Sequence, residues 1–114
     1  MKVNTTDYKK QFRNSAAWKN FRLTKFAEQK VDPVTGSKLQ AKANLHHLDE
    51  NPEHYTDISD PTHFVLLNYE THSVLHYLWG DGKRRFNWRK RLDALRKLCE
   101  QMDCINSSDT DKNV

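Results

Sequence analysis

Residues 43–76 read ANLHHLDENPEHYTDISDPTHFVLLNYETHSVLH, and they hold all six histidines of the 114-residue chain but none of its nineteen lysines and arginines. No basic side chain occurs between Lys42 and Lys83, whereas seven aspartates and glutamates fall in that interval. The following stretch, residues 80–98, is strongly basic, with eight lysines or arginines against two aspartates. Acidic neighbours favour the entry of a cation, and lysine or arginine would oppose it. The histidine-rich middle therefore predicts a cation site.

The decisive stretch begins with a strand pattern. The segment KLQAKANLHH, residues 38–47, alternates apolar and polar side chains, which predicts a half-buried strand in one arm of a hairpin. The polar segment LDENPEHYTDISDPT, residues 48–62, predicts an excursion loop. A helix is expected to follow the loop, with Asp60 or Thr71 as its N-cap.

Three helices are predicted in all. The first is capped by Ser15 and ends near Lys30, before the Asp-Pro pair. The second stops after Trp79, where two glycines follow. The third begins at about residue 87 and carries apolar residues at spacings of three and four.

Composition and length predict one soluble domain over residues 1–105, with a core at about 31–79, a basic helix at about 87–104 and a disordered tail at 106–114. The chain has no apolar run long enough for a membrane span and no signal-peptide core at its start, so we expect a cytoplasmic protein. The two cysteines, Cys99 and Cys104, are too few for a disulfide framework and are expected to be reduced packing residues.

The histidine spacings are typical of a metal centre. His72 and His76 project from one face of the predicted helix, one turn apart. His46 and His47 end the predicted strand, so their rings point to opposite sides and one can join the helix face. His46, His72 and His76 then form an open metal site, with His47 as a free imidazole beside it, which is typical of a hydrolytic centre. The alternatives are ordinary polar positions, or a closed structural zinc site with a cysteine as fourth ligand.

The segments SAAWKNFR, DPVTG, LHHLD, SDPTHFVLLNYETH and LH, in this order and at these spacings, resemble the HNH endonucleases of the ββα-metal class, in particular the small ones that phages encode. The resemblance covers residues 12–79. It implies an α+β fold with a ββα-metal core, made of a short β-hairpin and a metal-bearing helix between an N-terminal helix and a basic C-terminal helix. It also implies hydrolysis of DNA phosphodiester bonds, with His47 as general base and a divalent metal on His46, His72 and His76.

The sequence departs from the family pattern in two respects. Many relatives hold a structural zinc with four cysteines, and the matching positions here are Asp32, Thr35, Asn68 and Thr71. No structural zinc is therefore expected, and hydrogen bonds among these short polar side chains should replace it. The middle asparagine of the family falls on His63, which we assign as a second catalytic residue, with Asn68 as the alternative.

The resemblance implies one divalent ion, and Mg, Mn, Ni or Zn all remain open because three imidazoles suit Mn, Ni or Zn while Mg prefers oxygen ligands. The expected partner is double-stranded DNA, bound in the host cytoplasm if a phage encodes the chain. A basic cluster is expected to contact its phosphates: Lys83, Arg84, Arg85, Arg89, Lys90 and Arg91. The alternatives are a solvated charged helix face and a catalytically inactive HNH-like module that binds DNA or protein.

Overall fold

The computed structural model describes residues 5–110, and its architecture is mixed α+β, as predicted. Within that range the elements are α1 (Thr5–Arg13), α2 (Ala16–Glu28), β1 (Asn44–His47), β2 (Phe64–Leu67), α3 (Tyr69–Trp79) and α4 (Trp88–Thr110). The loop between β1 and β2 contains two short 3-10 turns, Pro52–His54 and Pro61–His63. No helix within the described residues combines the length and the apolarity that crossing a membrane requires.

The chain divides into two compact units, one up to Ser73 and one from Val74. The division falls inside α3, which runs unbroken from Tyr69 to Trp79. The first unit contains the hairpin with α1 and α2, and the second contains α4.

An antiparallel hairpin of β1 and β2 forms the centre of the first unit. Its register pairs His46 with Val65 and His47 with Phe64. Leu66, on β2, is fully buried and packs with Leu39 and Ala43 in the hydrophobic core. The hairpin predicted from the sequence is therefore confirmed, and it holds the two adjacent histidines at the end of β1.

The predicted strand over residues 38–47 is wrong for its first six residues, which form a turn with one isolated bridge. The backbone N–H of Gln40 donates to the side-chain oxygen of Asn68 at 2.8 Å, and the N–H of Ala43 donates to the Gln40 carbonyl at 2.9 Å. Arg22 donates to the Ala43 carbonyl at 2.9 Å. Because these backbone groups of Gln40 and Ala43 already have partners, residues 38–43 do not continue the hydrogen-bond ladder between β1 and β2, although their side chains alternate.

The helix starts agree only in part with the sequence predictions. Ser15 caps α2, since its hydroxyl oxygen accepts from the backbone N–H of Trp18 at 3.2 Å. Neither predicted cap of α3 serves that helix. Asp60 instead accepts from the N–H of Thr62 and caps a 3-10 turn, whereas Thr71 lies buried inside the first turn of α3.

The predicted end of α3 after Trp79 is confirmed. Gly80 follows with a φ of 100°, a left-handed conformation that favours glycine, and a Cβ there would collide with the carbonyl of Arg84. Its N–H donates to the His76 carbonyl at 2.8 Å and closes the last turn of the helix.

The C-terminal part of the chain differs from the prediction. Helix α4 continues to Thr110, so residues 106–110 are helical rather than a disordered tail, and residues 111–114 lie outside the described range. The two cysteines are free thiols but exposed, so their assignment as packing residues is wrong. Helix α1 was not foreseen.

A buried carboxylate connects the turn before the hairpin with the start of α3. Asp32 is 0% exposed, and one of its oxygens accepts from the backbone N–H groups of Val34 and Thr35, at 2.8 and 3.0 Å. The other accepts from the N–H of Asn68 at 2.9 Å. Burial raises the pKa of Asp32, but the backbone donors outweigh it and lower the pKa to about 2.

The remaining polar positions extend this network. The Asn68 side chain accepts from the N–H of Gln40 and donates to the Lys38 carbonyl at 3.1 Å. The hydroxyl of Thr71 is buried and makes no well-formed hydrogen bond to a described residue. It still lowers the pKa of Asp32, by less than the backbone donors do. The well-formed hydrogen bonds of the Asp32 carboxylate thus come from backbone N–H groups and not, as predicted, from the other short polar side chains. The bond from Asn68 connects segments 36 residues apart.

Replacing Asp32 by alanine leaves three backbone N–H groups without their acceptor. We expect Asp32→Ala to lower the free energy of unfolding by about 2–4 kcal/mol, since each buried unpaired donor costs about 1–3 kcal/mol and water will reach some of them. The matched control is Asp57→Ala, whose carboxylate accepts from Ser59 in an exposed turn and should lose less than about 1 kcal/mol. Urea denaturation at pH 7 measures both, and equal losses would contradict the structural role of Asp32.

The same carboxylate predicts a pH dependence. The pKa of Asp32 is about 2 in the folded chain against an ordinary value of 3.8, so the stabilisation is present above about pH 4 and is lost as the pH falls toward 2. Asp32→Asn should lack this component of acid destabilisation. Urea curves at pH 7, 4 and 3 should therefore converge for the two proteins as the pH falls.

Candidate metal centre

Three histidines converge where β1 faces the start of α3. The rings of His46 and His72 meet edge to face, with centroids 5.2 Å apart. His76 lies one turn beyond His72 on the same unbroken helix, so the helix itself fixes the spacing of these two residues. One ligand nitrogen from each of the three rings lies within 4.8 Å of the other two. Within residues 5–110 this is the one group of such side chains with that geometry.

Backbone groups contact two of the three histidines, one through its main chain and one through its ring. The N–H of His72 donates to the Asn68 carbonyl at 3.0 Å, which ties this residue to the Asp32 network. Nδ1 of His76 lies 3.2 Å from the Gly80 carbonyl oxygen. In the tautomer protonated on Nδ1, His76 donates to this carbonyl and keeps the lone pair of Nε2 for a ligand, as metal-binding histidines commonly do.

The three side chains fit a divalent transition metal. Nitrogens bound to one tetrahedral zinc at about 2.0–2.1 Å lie about 3.4 Å apart, so small side-chain rotations bring this set to that spacing. Neither cysteine belongs to the group, so the closed cysteine-containing zinc site considered from the sequence is not formed among these residues. Three protein ligands leave a coordination position for water or substrate, which is the pattern of catalytic rather than structural sites.

His47 faces away from this group, as the strand alternation predicts. Its ring is stacked between Tyr55, at 4.4 Å and 11°, and Trp18, at 5.4 Å and 13°. Phe64 closes a third side at 4.9 Å. His47 is thus outside the group of three candidate ligands, as expected from the sequence, although both faces of its ring are covered.

One nitrogen of His47 has a hydrogen-bond partner that fixes the tautomer. Nε2 lies 2.9 Å from the backbone carbonyl of Tyr55, which can only accept, so the neutral ring carries its proton on Nε2. Nδ1 then holds the lone pair and can accept a proton. Burial lowers the pKa of His47, and this effect exceeds the opposing effect of the Tyr55 hydrogen bond. The imidazole is thus a neutral base near pH 7.

Helix α1 holds the loop that carries Tyr55. Arg13 donates to the Tyr55 hydroxyl at 2.9 Å, and the Lys9 ammonium lies 4.9 Å from the centre of the same ring. Both cations also lower the pKa of His47. The chain therefore brings two basic side chains near this histidine, although none is close in sequence. The segment TTDYKKQFR is polar on average, but Tyr8 and Phe12 lie four residues apart on one helical face, and this spacing was the signal by which the helix could have been found.

A small cavity of about 180 Å³ adjoins His47. His63 lines it and lies 3.3 Å from Asp60 and 3.9 Å from Asp49, whose carboxylate also binds His54 at 2.7 Å. This hydrogen bond to Asp49 raises the pKa of His54. These acidic side chains give the loop beside His47 a negative field.

The two candidates for the middle position of the motif lie in different places. Asn68 is buried in the Asp32 network, and its side chain holds the turn at Gln40 rather than the loop after β1. His63 instead accepts from the N–H of Leu48 through its carbonyl at 2.8 Å, directly after the two histidines. Of the two positions, residue 63 is the one that contacts the segment directly after the two histidines, and it does so through its backbone carbonyl.

The predicted phosphate-contacting residues surround the start of α4. All are exposed except Arg91, which is half-buried. The guanidinium of Arg85 lies 4.0 Å from the Trp79 ring centre, and that of Arg89 lies 4.5 Å from Trp88. Such stacking holds a guanidinium in place without neutralising its charge.

Arg91 differs from the other basic residues of this cluster because its guanidinium contacts residues of the second unit. Its guanidinium lies 3.7 Å from the ring centre of Phe86 and donates to the backbone carbonyl of Tyr77 at 2.7 Å. We therefore assign Arg91 a structural role at the start of α4, and the remaining five basic residues are the candidates for contacts with an anion.

The candidate centre thus consists of three convergent imidazoles and a fourth with a defined tautomer. Comparison of the chain with protein-family models, with curated proteins and with solved structures gives no significant match. The family resemblance remains a prediction from the sequence, and the function is argued below from the residues of the site.

Removing one imidazole should abolish tight metal binding. We expect wild-type protein to bind one Zn or Ni ion, and His72→Ala to bind at least about 100-fold more weakly, because loss of a ligand costs more than the 10–100-fold typical of outer-shell changes. His54→Ala is the matched control, since His54 lies outside the group. Isothermal titration calorimetry at pH 7.5 measures both, and unchanged affinity in His72→Ala would refute the site.

Proposed function

We propose that the chain is a metal-dependent endonuclease of the HNH type, which hydrolyses phosphodiester bonds in double-stranded DNA. The observation that carries the proposal is the group of His46, His72 and His76, whose ligand nitrogens lie within 4.8 Å of one another. In this interpretation β1, β2 and α3 correspond to the ββα-metal core that the motifs resemble.

His47 is the proposed general base. With its Nε2 proton donated to the Tyr55 carbonyl, Nδ1 is available to remove a proton from a water molecule. Its lowered pKa keeps the ring neutral at pH 7, which a base requires. Stacking between Trp18 and Tyr55 restricts the ring to one orientation, so the base does not have to be ordered during the reaction.

The proposed reaction is an attack of water on phosphorus. As Nδ1 of His47 takes a proton from water, the remaining hydroxide oxygen forms a bond to phosphorus and the bond between phosphorus and the 3′ oxygen breaks. The departing 3′ oxygen keeps the electron pair of that bond and takes a proton from solvent. A divalent ion held by the three histidines would supply charge stabilisation at the phosphoryl and leaving oxygens. The products would be a 5′-phosphate and a 3′-hydroxyl, as the family resemblance implies. His63 would act as a positioning residue through its contact with the loop after β1.

Affinity for DNA would come from the basic cluster at the start of α4. Lys83, Arg84, Arg85, Arg89 and Lys90 are exposed and carry five positive charges within eight consecutive residues. Charges at this density can follow a phosphate backbone, with an affinity that falls steeply with salt. Phosphate contacts alone carry no sequence information, so weak sequence preference is expected.

Cleavage of supercoiled plasmid tests the proposed chemistry. Purified protein should nick or linearise plasmid with Mn, Ni, Zn or Mg and not with a chelator. His47→Ala should lower the rate at least about 100-fold, the range of general-base contributions. It should still bind metal in calorimetry, because His47 is not one of the three ligands.

The control for this experiment is the variant His54→Ala. His54 is exposed, so this variant should cut plasmid at a rate near that of the wild type. Two outcomes would contradict the proposal: cutting that His47→Ala does not slow, or no cutting with any metal. In the second case, retained plasmid binding would favour the alternative of an inactive binding module.

The basic cluster predicts a graded salt dependence. The double variant Lys83→Ala, Lys90→Ala should bind a DNA duplex more weakly and reduce the slope of log affinity against log salt by about 2, one for each lost phosphate contact. Lys97→Ala is the matched control, since Lys97 is paired with Asp93 at 3.2 Å on the same helix. Fluorescence anisotropy at several salt concentrations measures the slopes, and equal slopes would contradict the assignment.

A further inference from the structure

Helix α4 presents a continuous apolar stripe to solvent. Its large apolar side chains are between 36% and 64% exposed: Leu92, Leu95, Leu98, Met102 and Ile105. The helix is 23 residues long, or about 34 Å. Apolar patches of this extent on a soluble protein mark interaction surfaces.

The spacing of the stripe is that of a coiled coil. Leu95 and Met102 occupy one position of a seven-residue repeat, and Leu98 and Ile105 occupy the second apolar position. Leu92 and exposed Cys99 widen the stripe on one side. Arg91, which would extend the seam toward the N-terminus, is instead held against Phe86. The repeat therefore provides four apolar layers beyond Arg91.

The N-terminal half of α4 is basic and its C-terminal half is acidic, which is the reverse of the charge distribution that stabilises an isolated helix. Residues 89–97 contain five basic residues and one acidic residue, a net charge of +4, whereas residues 98–107 contain two acidic residues and no basic one, a net charge of −2. The first turn has no acidic residue and the last turn has no basic one. The helix macrodipole favours the reverse arrangement.

A second α4 in antiparallel orientation satisfies both features. It places the acidic half of one helix beside the basic half of the other and opposes the two dipoles. A parallel pair would bring the two basic halves together. In the antiparallel register Leu95 meets Ile105 of the second copy and Leu98 meets its Met102, so all four layers are apolar.

The surface beside the stripe agrees with this occupant. A groove of about 520 Å³ runs along the first half of α4, and Leu95, Leu98 and Phe86 contribute apolar lining to it. The part of a second α4 that would lie there carries Met102 and Ile105. Apolar side chains of the second copy would therefore meet apolar side chains of the groove.

We propose that α4 joins two copies of this chain as an antiparallel helix pair with the four layers named above. The proposal does not depend on the nuclease function, since it rests only on residues of α4 and on the groove beside it.

Sedimentation equilibrium from about 1 to 200 μM tests the dimer. We expect a dimer in the upper part of this range, and Leu98→Glu should raise its dissociation constant at least about 100-fold, because each dimer then buries two carboxylates in apolar layers. Leu98 is 55% exposed, so the substitution should leave the chain folded, which circular dichroism will check. Ser107→Glu adds the same charge on the outer face of the helix and should leave the dimer intact.

Crosslinking tests the orientation. Two variants, Leu92→Cys and Asn106→Cys, are made with Cys99 and Cys104 both changed to serine, mixed and oxidised. The antiparallel pair places residue 92 beside residue 106 of the second copy, so the mixed disulfide should predominate. Disulfides only within each variant would indicate a parallel pair and overturn the orientation.

Two further results would overturn the dimer itself: a monomer at every concentration, or a dimer that Leu98→Glu does not weaken. Metal binding by Leu98→Glu should equal that of the wild type, because the substitution lies outside the histidine group. A failure of the dimer and a failure of the metal centre are therefore distinguishable.

Discussion

The buried carboxylate of Asp32 is the constraint on which the histidine geometry depends. An ionised carboxylate loses several kcal/mol of hydration when it is buried, and only multiple well-placed donors can offset that loss. Here the donors are backbone N–H groups of the turn after Asp32 and of Asn68, the residue before α3. The Asn68 carbonyl in turn accepts from His72. A single charged group thus sets the position at which the metal-facing side of α3 begins.

The strand register then places two adjacent histidines in different environments. Because neighbouring residues of a strand face opposite sides, His46 turns toward His72 while His47 turns toward Trp18 and Tyr55. A slip of one residue would exchange the two environments, placing the stacked ring among the ligands. The buried core residues of β2 oppose such a slip, so packing as well as sequence keeps the proposed ligand and the proposed base apart.

Local patterns in the sequence predicted the Ser15 cap and the end of α3, because both follow from short-range spacing. The hairpin and the convergence of His46 with His72 and His76 join segments far apart in sequence, and they were expected because strand alternation and helix periodicity each assign these residues to one face. The features that could not be predicted depend on contacts between segments that are distant in sequence. The alternation in residues 38–43 gives no sign that Asn68 and Arg22 occupy that backbone. Nor could composition alone reveal α1, whose role is to hold Tyr55, or the exposure of both cysteines, since burial depends on neighbours that the sequence does not show.

Three imidazoles are proposed to hold a divalent ion and to leave it open to water. X-ray absorption spectroscopy of the zinc-loaded protein is the decisive measurement, because it reports the ligands themselves. We expect three imidazole nitrogens at about 2.0–2.1 Å and at least one further oxygen. A sulfur scatterer at about 2.3 Å would place a cysteine on the metal, and an all-oxygen shell would leave the histidines unbound. Either result would refute the proposed metal centre.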